Sequence, residues 1–192
     1  MAEVHEPNSQ DEPNDEAILA QSRRWLERAV IGLNLCPFAK AVHVKLQIRW
    51  VLSQATSAEA LLEDLADELI RLNASDPAAH DTTLLIHPYV LQDFLDYNAF
   101  LDLADGLIEE LALAGELQVA SFHPQYQFAD SAPEDVENLS NRAPFPTLHL
   151  LRESSVDLAV AAFPEAEHIY LKNIETLRAL GHAGWQKLFA AD

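Results

Sequence analysis

Two segments of this 192-residue chain end an apolar run with histidine and proline: Ile86-His87-Pro88-Tyr89 and Ser121-Phe122-His123-Pro124-Gln125-Tyr126. Proline cannot donate to a sheet ladder, so each run stops there and each histidine falls at the last residue of a strand. If the two strands are parallel, both corners lie at one carboxyl edge, where open α/β sheets bind ligands. The stretch 124–146 leaves the same edge with four prolines and no periodicity, and it carries Asp130, Asp135, Asn138, Asn141 and Arg142. Connections this long are usually functional or mobile. A pocket at that edge would gather His87, His123, Tyr126, Asp130, Asn138, Asn141 and Arg142.

Histidine beside carboxylate supports two chemistries. His123, near its ordinary pKa and oriented by Asp130, would act as a general acid or base. Alternatively His87, His123 and Asp130 would hold a divalent metal, although there is no HExxH motif and no paired cysteine. The plain alternative is that each histidine caps its strand by bonding to backbone. No Lys or Arg occurs between Arg71 and Arg142. An isolated arginine in a proline-stiffened loop suits a carboxylate, either a ligand's or the protein's own Asp130 or Asp135. Asn138, Asn141 and Tyr126 would then help Arg142 to hold a small anion.

Cys36, in Leu35-Cys36-Pro37-Phe38, has open alternatives. Closing the first helix, it would be an inert, buried small hydrophobe. Capping a short helix opened by Pro37, it would gain thiolate character and could pair with His123 as a nucleophile.

Periodicity places these residues on elements. Leu19, Trp25, Leu26, Ala29, Val30 and Leu33 predict a helix from Ala17 that ends near Gly32–Asn34. Alternation over Val42 to Leu52 predicts a strand, and Ser57 predicts the N-cap of a following helix. Further strands are expected at Thr82–Ile86, Leu117–Phe122 and Thr147–Leu151, with a helix from Asp93 to Ala114 closed by Gly115. Ser154 would cap a short helix through Ala162, and Pro164 would open a last one ended by Gly181. The order α-β-α-β-α-β-loop-β-α-α predicts an α/β or α+β layered sandwich, with flanking helices on a mixed, mostly parallel four-stranded sheet. The fourth strand lacks a crossover helix, which leaves an antiparallel direction open for it. A ferredoxin-like arrangement is the alternative.

Residues 1–16 contain six acids and no Lys or Arg, and read as a disordered acidic tail before one globular domain over 17–192. The whole chain carries 12 Lys plus Arg against 31 Asp plus Glu, a formal charge of -19. That charge argues against nucleic acid and anionic membrane surfaces as partners. One cysteine excludes an intrachain disulfide, and the start lacks the features of a secretory signal, so a cytoplasmic protein is expected. The five glycines are too dispersed for a dinucleotide or P-loop signature, and no Gly-x-Ser-x-Gly elbow occurs. These features suggest a small-molecule enzyme acting on an anion, or a non-catalytic metabolite- or protein-binding regulatory module. Oligomeric state stays open.

Three motifs carry a family resemblance: Gly32-Leu33-Asn34-Leu35-Cys36-Pro37-Phe38-Ala39, Ser121-Phe122-His123-Pro124-Gln125-Tyr126-Gln127-Phe128, and Asn141-Arg142-Ala143-Pro144-Phe145-Pro146-Thr147 continuing through Leu148-His149-Leu150-Leu151-Arg152-Glu153. Together they resemble the bacterial domain-of-unknown-function family 1415, over roughly Ala17 to Trp185. The resemblance implies a cytoplasmic bacterial protein and brings no activity with it.

Overall fold

Asn14 accepts a hydrogen bond from the Ala17 amide at 2.8 Å and starts helix α1, Asp15–Trp25, which places Asp15 and Glu16 in its acidic first turn. The computed structural model describes residues 14–163 and 168–190, so the remainder of the expected acidic tail, 1–13, lies outside the described residues. Helix α1 runs on into a π-helix, Leu26–Ile31. This wider turn is rare and recurs at functional sites. Gly32 follows it, and a Cβ there would stand 2.3 Å from the Arg28 carbonyl oxygen, so only glycine fits. Asn34, at φ 55, turns the chain away.

The expected strand over Val42–Leu52 is half helix. Helix α2 spans Ala39–Val44, and strand β1 spans only Ile48–Leu52. Val44 and Leu46 are 69% and 84% exposed, so their alternation with polar residues marks no buried face. Leu46 sits at φ 58, and the bond from the Gln47 amide to the Val42 carbonyl closes a turn that ladder pairing would need open.

From there the expectations hold closely. Ser57 caps α3, Ala58–Ala74, by accepting from the Ala60 amide at 3.2 Å. Strand β2 is Thr82–Ile86. Asp93 caps α4, Phe94–Glu110, which ends earlier than expected because Ala112, at φ 55, turns the chain before Gly115. Strand β3, Leu117–Phe122, leads through the long loop and a 3₁₀ helix, Val136–Asn141, to β4, Thr147–Arg152. Helix α5, Glu153–Ala162, begins one residue before Ser154, and Arg152 rather than Ser154 stands at its N-cap position. Pro164 lies outside the described residues. In α6, Ile169–Phe189, Gly181 takes φ 64 and ψ 174 and breaks the helix, which then resumes for two further turns.

The sheet order is β1-β2-β4-β3. Only β1 and β2 pair in parallel, whereas β4 is antiparallel to both β2 and β3. The sheet is therefore mixed and not mostly parallel. The reason is topological: the loop after β3 stays at the edge where β3 ended, so β4 must run back. β1-α3-β2 is a direct βαβ unit and β2-α4-β3 is a split one, an order unlike the ferredoxin-like β-α-β-β-α-β.

Helices cover both faces. Leu61, Leu65, Leu69 and Leu72 of α3 and Tyr97, Phe100, Ala104 and Ile108 of α4 pack with Leu85, Leu148 and Leu150 of the sheet. On the other face Trp25, Leu26, Ala29 and Val30 pack against Ile48, Trp50, Phe122 and the end of α6. Arg49 of β1 is tied to the buried Glu68 of α3 by a two-pronged pair, with Nε to Oε2 at 2.6 Å. That geometry suits the guanidinium fork, and Glu68 holds the Arg49 pKa up.

Candidate functional site

β1, β2 and β3 point the same way, so both His-Pro corners do meet at one edge of the sheet, flanking the start of β4. Ile86 and Phe122 are both in register with Thr147. The His87 amide donates to the Pro146 carbonyl at 3.0 Å and continues the pairing past β2, whereas the His123 amide donates to the Asn141 carbonyl at 3.2 Å and ties its corner to the end of the 3₁₀ helix. Between the two imidazoles stands Tyr97, with ring centroids 5.7 Å from His87 and 5.0 Å from His123. Its hydroxyl donates to the Thr147 carbonyl at 2.9 Å.

Neither histidine faces solvent; both are fully buried. His123 Nδ1 accepts from the Gln125 amide at 3.0 Å, so Nε2 carries the hydrogen and donates to the Leu91 carbonyl at 3.1 Å. Leu91 adopts φ 56, a left-handed conformation costly for leucine, while presenting that carbonyl. Burial lowers the His123 pKa, partly offset by the bond to Leu91. His87 Nδ1 donates to the Val90 carbonyl at 3.2 Å, while its Nε2 is buried and without a partner. Burial pushes its pKa down to about 4. The corners are thus arranged as strand caps, with both His123 nitrogens already engaged by backbone.

The loop residues are placed elsewhere. Asp130 is exposed and bonds to no described residue, so it does not orient His123. Asp135 accepts from the Ala132 amide at 2.8 Å. Asn138 is fully buried inside the loop: its Oδ1 accepts from the Phe128 amide at 3.0 Å, and its Nδ2 donates to the Ala132 carbonyl at 2.8 Å. Asn141 donates weakly to the Ser121 carbonyl, at 3.4 Å. Tyr126 packs between Phe94, tilted at 5.3 Å, and Phe128, edge-on at 5.1 Å. These side chains hold the loop's own shape and do not gather around a cavity. Cys36 is half-buried against the Trp25 cluster on the opposite face from the Tyr97 layer, and it does not cap α2, whose N-cap residue is Phe38. Among the described residues no group of three or more His, Cys, Asp or Glu is placed to hold a metal, so the expected His87–His123–Asp130 set does not converge.

Of the expected site residues, Arg142 lines a cleft. Its Nε donates to the Tyr126 carbonyl at 3.0 Å and its Nη2 to the Pro133 carbonyl at 2.7 Å. It pairs with neither Asp130 nor Asp135, and partial burial lowers its pKa. It opens into a cleft of about 540 Å³ between α1, the long loop and the end of α6. Arg24 of α1 is the second cation there, held by a 2.9 Å bond from Nη2 to the Ala190 carbonyl. Besides the two arginines and Gln21 the lining is apolar, with Trp25, Trp185 and Phe189 as its aromatic residues and Pro124 and Pro144 among the rest. Among the described residues no acidic side chain lines it, and neither arginine forms an ion pair.

Local structure explains the assembly. Trp25 is the last residue of α1 before the π-helix, and its ring meets Phe122 edge-on at 5.0 Å. Gly181 redirects α6, so that Trp185 and Phe189 cross the mouth of the loop. Arg178 Nε bonded to Glu137 at 2.7 Å, and His182 Nε2 donating to the Glu134 carbonyl at 2.8 Å, pin that helix to the loop. Arg24, Trp25, Trp185 and Phe189 escaped the sequence reading because a helical stripe of aromatic and basic residues looks the same whether it lines a cleft or covers a core. The signal that was available is the break at Gly181 with aromatic residues beyond it.

Among the described residues no helix is long and apolar enough to cross a membrane. No curated protein and no solved structure matches the chain. The model of the family described as "Protein of unknown function (DUF1415)" matches residues 17–187, including the Cys-Pro turn, the His123 corner and the Arg142 loop, and the chain belongs to that family.

Proposed function

We propose that this protein binds a small organic anion in the Arg24–Arg142 cleft and acts as a ligand-binding module of the cytoplasm, with Arg142 as the anion clamp. One observation carries the reading. In a chain of formal charge -19, two arginines line one largely apolar cleft, and among the described residues neither has a carboxylate partner and no acidic side chain lines it. An uncompensated guanidinium beside apolar walls gains most from an anion that displaces water from it. The binding reading is preferred to acid–base catalysis at His123, because that imidazole is buried and bonded at both nitrogens.

The test is thermal unfolding of the full chain across a panel of organic anions and their neutral amides, followed by calorimetry. A ligand at one hundred times its Kd should add about 2.7 kcal/mol and raise Tm by about 5–10 °C. Arg24→Gln should cut affinity tenfold or more while leaving the unliganded Tm close to wild type. A panel in which anions stabilise no more than their amides overturns the proposal.

A further inference from the structure

We infer that the ligand of this cleft is a flat aromatic monocarboxylate, an inference that rests on the anion-binding reading above. Three features of the cleft suit that class.

The first is the kind of donor available. The helical lining residues stand past the first three residues of their stretches: Gln21, Arg24 and Trp25 in the second half of α1, Leu139 in the 3₁₀ helix, and Trp185 and Phe189 in the part of α6 that resumes after Gly181. Phosphate sites draw on helix N-termini and glycine-rich backbone amides. Here the nearby helix end is the C-terminal end of α6, whose partial negative charge counts against a dianion. Pro124 and Pro144 remove two further amide donors from the rim.

The second is the number of guanidinium hydrogens left over. Each arginine has five N–H donors. Arg142 spends Nε and one Nη2 hydrogen on loop carbonyls, which leaves both Nη1 hydrogens and one on Nη2. Arg24 spends one Nη2 hydrogen on Ala190 and keeps its other N–H donors on Nε, Nη1 and Nη2. That set suits the two oxygens of one carboxylate held between two arginines.

The third is the shape of the walls. Trp185 and Phe189 meet edge-to-face at 5.5 Å, and Trp25 faces the same space. Aromatic walls reward ring stacking above simple area burial. A cleft of about 540 Å³ falls in the range of small-ligand sites and admits a body of two fused rings.

The experiment uses the full chain and four probes: 2-naphthoate, 2-naphthyl phosphate, 2-naphthamide and octanoate. Calorimetry gives each affinity. The indole N–H resonances of the three tryptophans, assigned with Trp50→Phe and Trp185→Phe, locate the ligand. Naphthoate should bind at least tenfold tighter than the other three, and Arg142→Lys should weaken it at least tenfold. The Trp25 and Trp185 resonances should shift while that of Trp50 stays. Naphthyl phosphate or octanoate binding as tightly as naphthoate overturns the class and leaves the anion reading standing. Naphthamide binding equally well, or no probe binding, overturns both. A shift confined to Trp50 removes the ligand from this cleft.

Discussion

Arg142 reaches back across its loop to the main-chain oxygen of Tyr126, 3.0 Å from its Nε, and takes no carboxylate as a partner. The same side chain therefore closes the loop by hydrogen bonds to carbonyls and keeps its charge uncompensated at the cleft. Arg142→Ala should show both roles. Losing two charge-assisted bonds costs about 1–3 kcal/mol in denaturant unfolding, and ligand affinity disappears. Arg142→Lys should recover part of the stability but not the affinity, since an ammonium cannot reproduce the fork. Equal loss of both properties in the two variants would mean that the loop, and not the charge, holds the ligand.

His123 is the residue that the sequence marks most strongly for catalysis, and its geometry marks it as a strand cap. His123→Gln should lower the unfolding free energy by about 1–3 kcal/mol, because the Leu91 carbonyl and the Gln125 amide lose their partner in a buried place. Affinity for the cleft ligand should stay within twofold. An affinity lost without any loss of stability would return His123 to the functional site.

Acid should weaken the fold through buried imidazoles. Burial holds His87 and His149 near pKa 4, whereas an unfolded histidine titrates near 6.5. Below pH 6.5 the unfolded chain gains protons that the native chain refuses. Stability is therefore unaffected by these groups above that pH and falls as pH drops from 6.5 toward 4. The loss is on the order of 3 kcal/mol per histidine. Urea unfolding of wild type and His87→Gln at pH 7 and pH 5 checks this: the variant should lose less between the two. Parallel losses would show that other groups carry the acid sensitivity.

Arg152 closes a different end of the molecule. This buried side chain on β4 extends Nη2 toward the last turn of α3, 2.8 Å from the Ser75 carbonyl and 3.0 Å from the Ser75 hydroxyl. Arginine is well suited to orphan carbonyls at a helix C-terminus. Arg152→Met keeps the bulk and removes the donors, so it should cost about 2–3 kcal/mol and raise amide exchange around Leu72 and Ser75. Unchanged exchange there would argue that water replaces the guanidinium.

Gly181 holds a conformation close to glycine's own, at φ 64 and ψ 174. Gly181→Ala should cost about 1–3 kcal/mol and misplace Trp185 and Phe189, so that affinity falls more steeply than stability alone explains. A variant that binds normally would show that the cleft wall forms without the break.

Much of this protein is legible one residue at a time. Ser57 and Asp93 announce helix starts because capping is local chemistry between a side chain and amides two or three residues on. The three strands Thr82–Ile86, Leu117–Phe122 and Thr147–Arg152 are legible because short apolar, β-branched runs are bounded by proline: Pro88 and Pro124 lie just beyond the first two, and Pro146 just before the third. That both His-Pro corners share an edge followed from the βαβ order. The strand expected at Val42 failed because alternation also arises by chance in exposed helix, and only pairing with β2 distinguishes the two. What the corner histidines bond to, and that Asp130 stays apart from His123, depends on where α4 and the loop place carbonyls, which no spacing encodes. The cleft is the clearest case. Arg24, Arg142 and Trp185 are far apart in sequence, and they meet because the π-helix, the returning loop and the break at Gly181 bring three elements to one place. Local interactions set the elements; long-range packing decided which charges were left without partners.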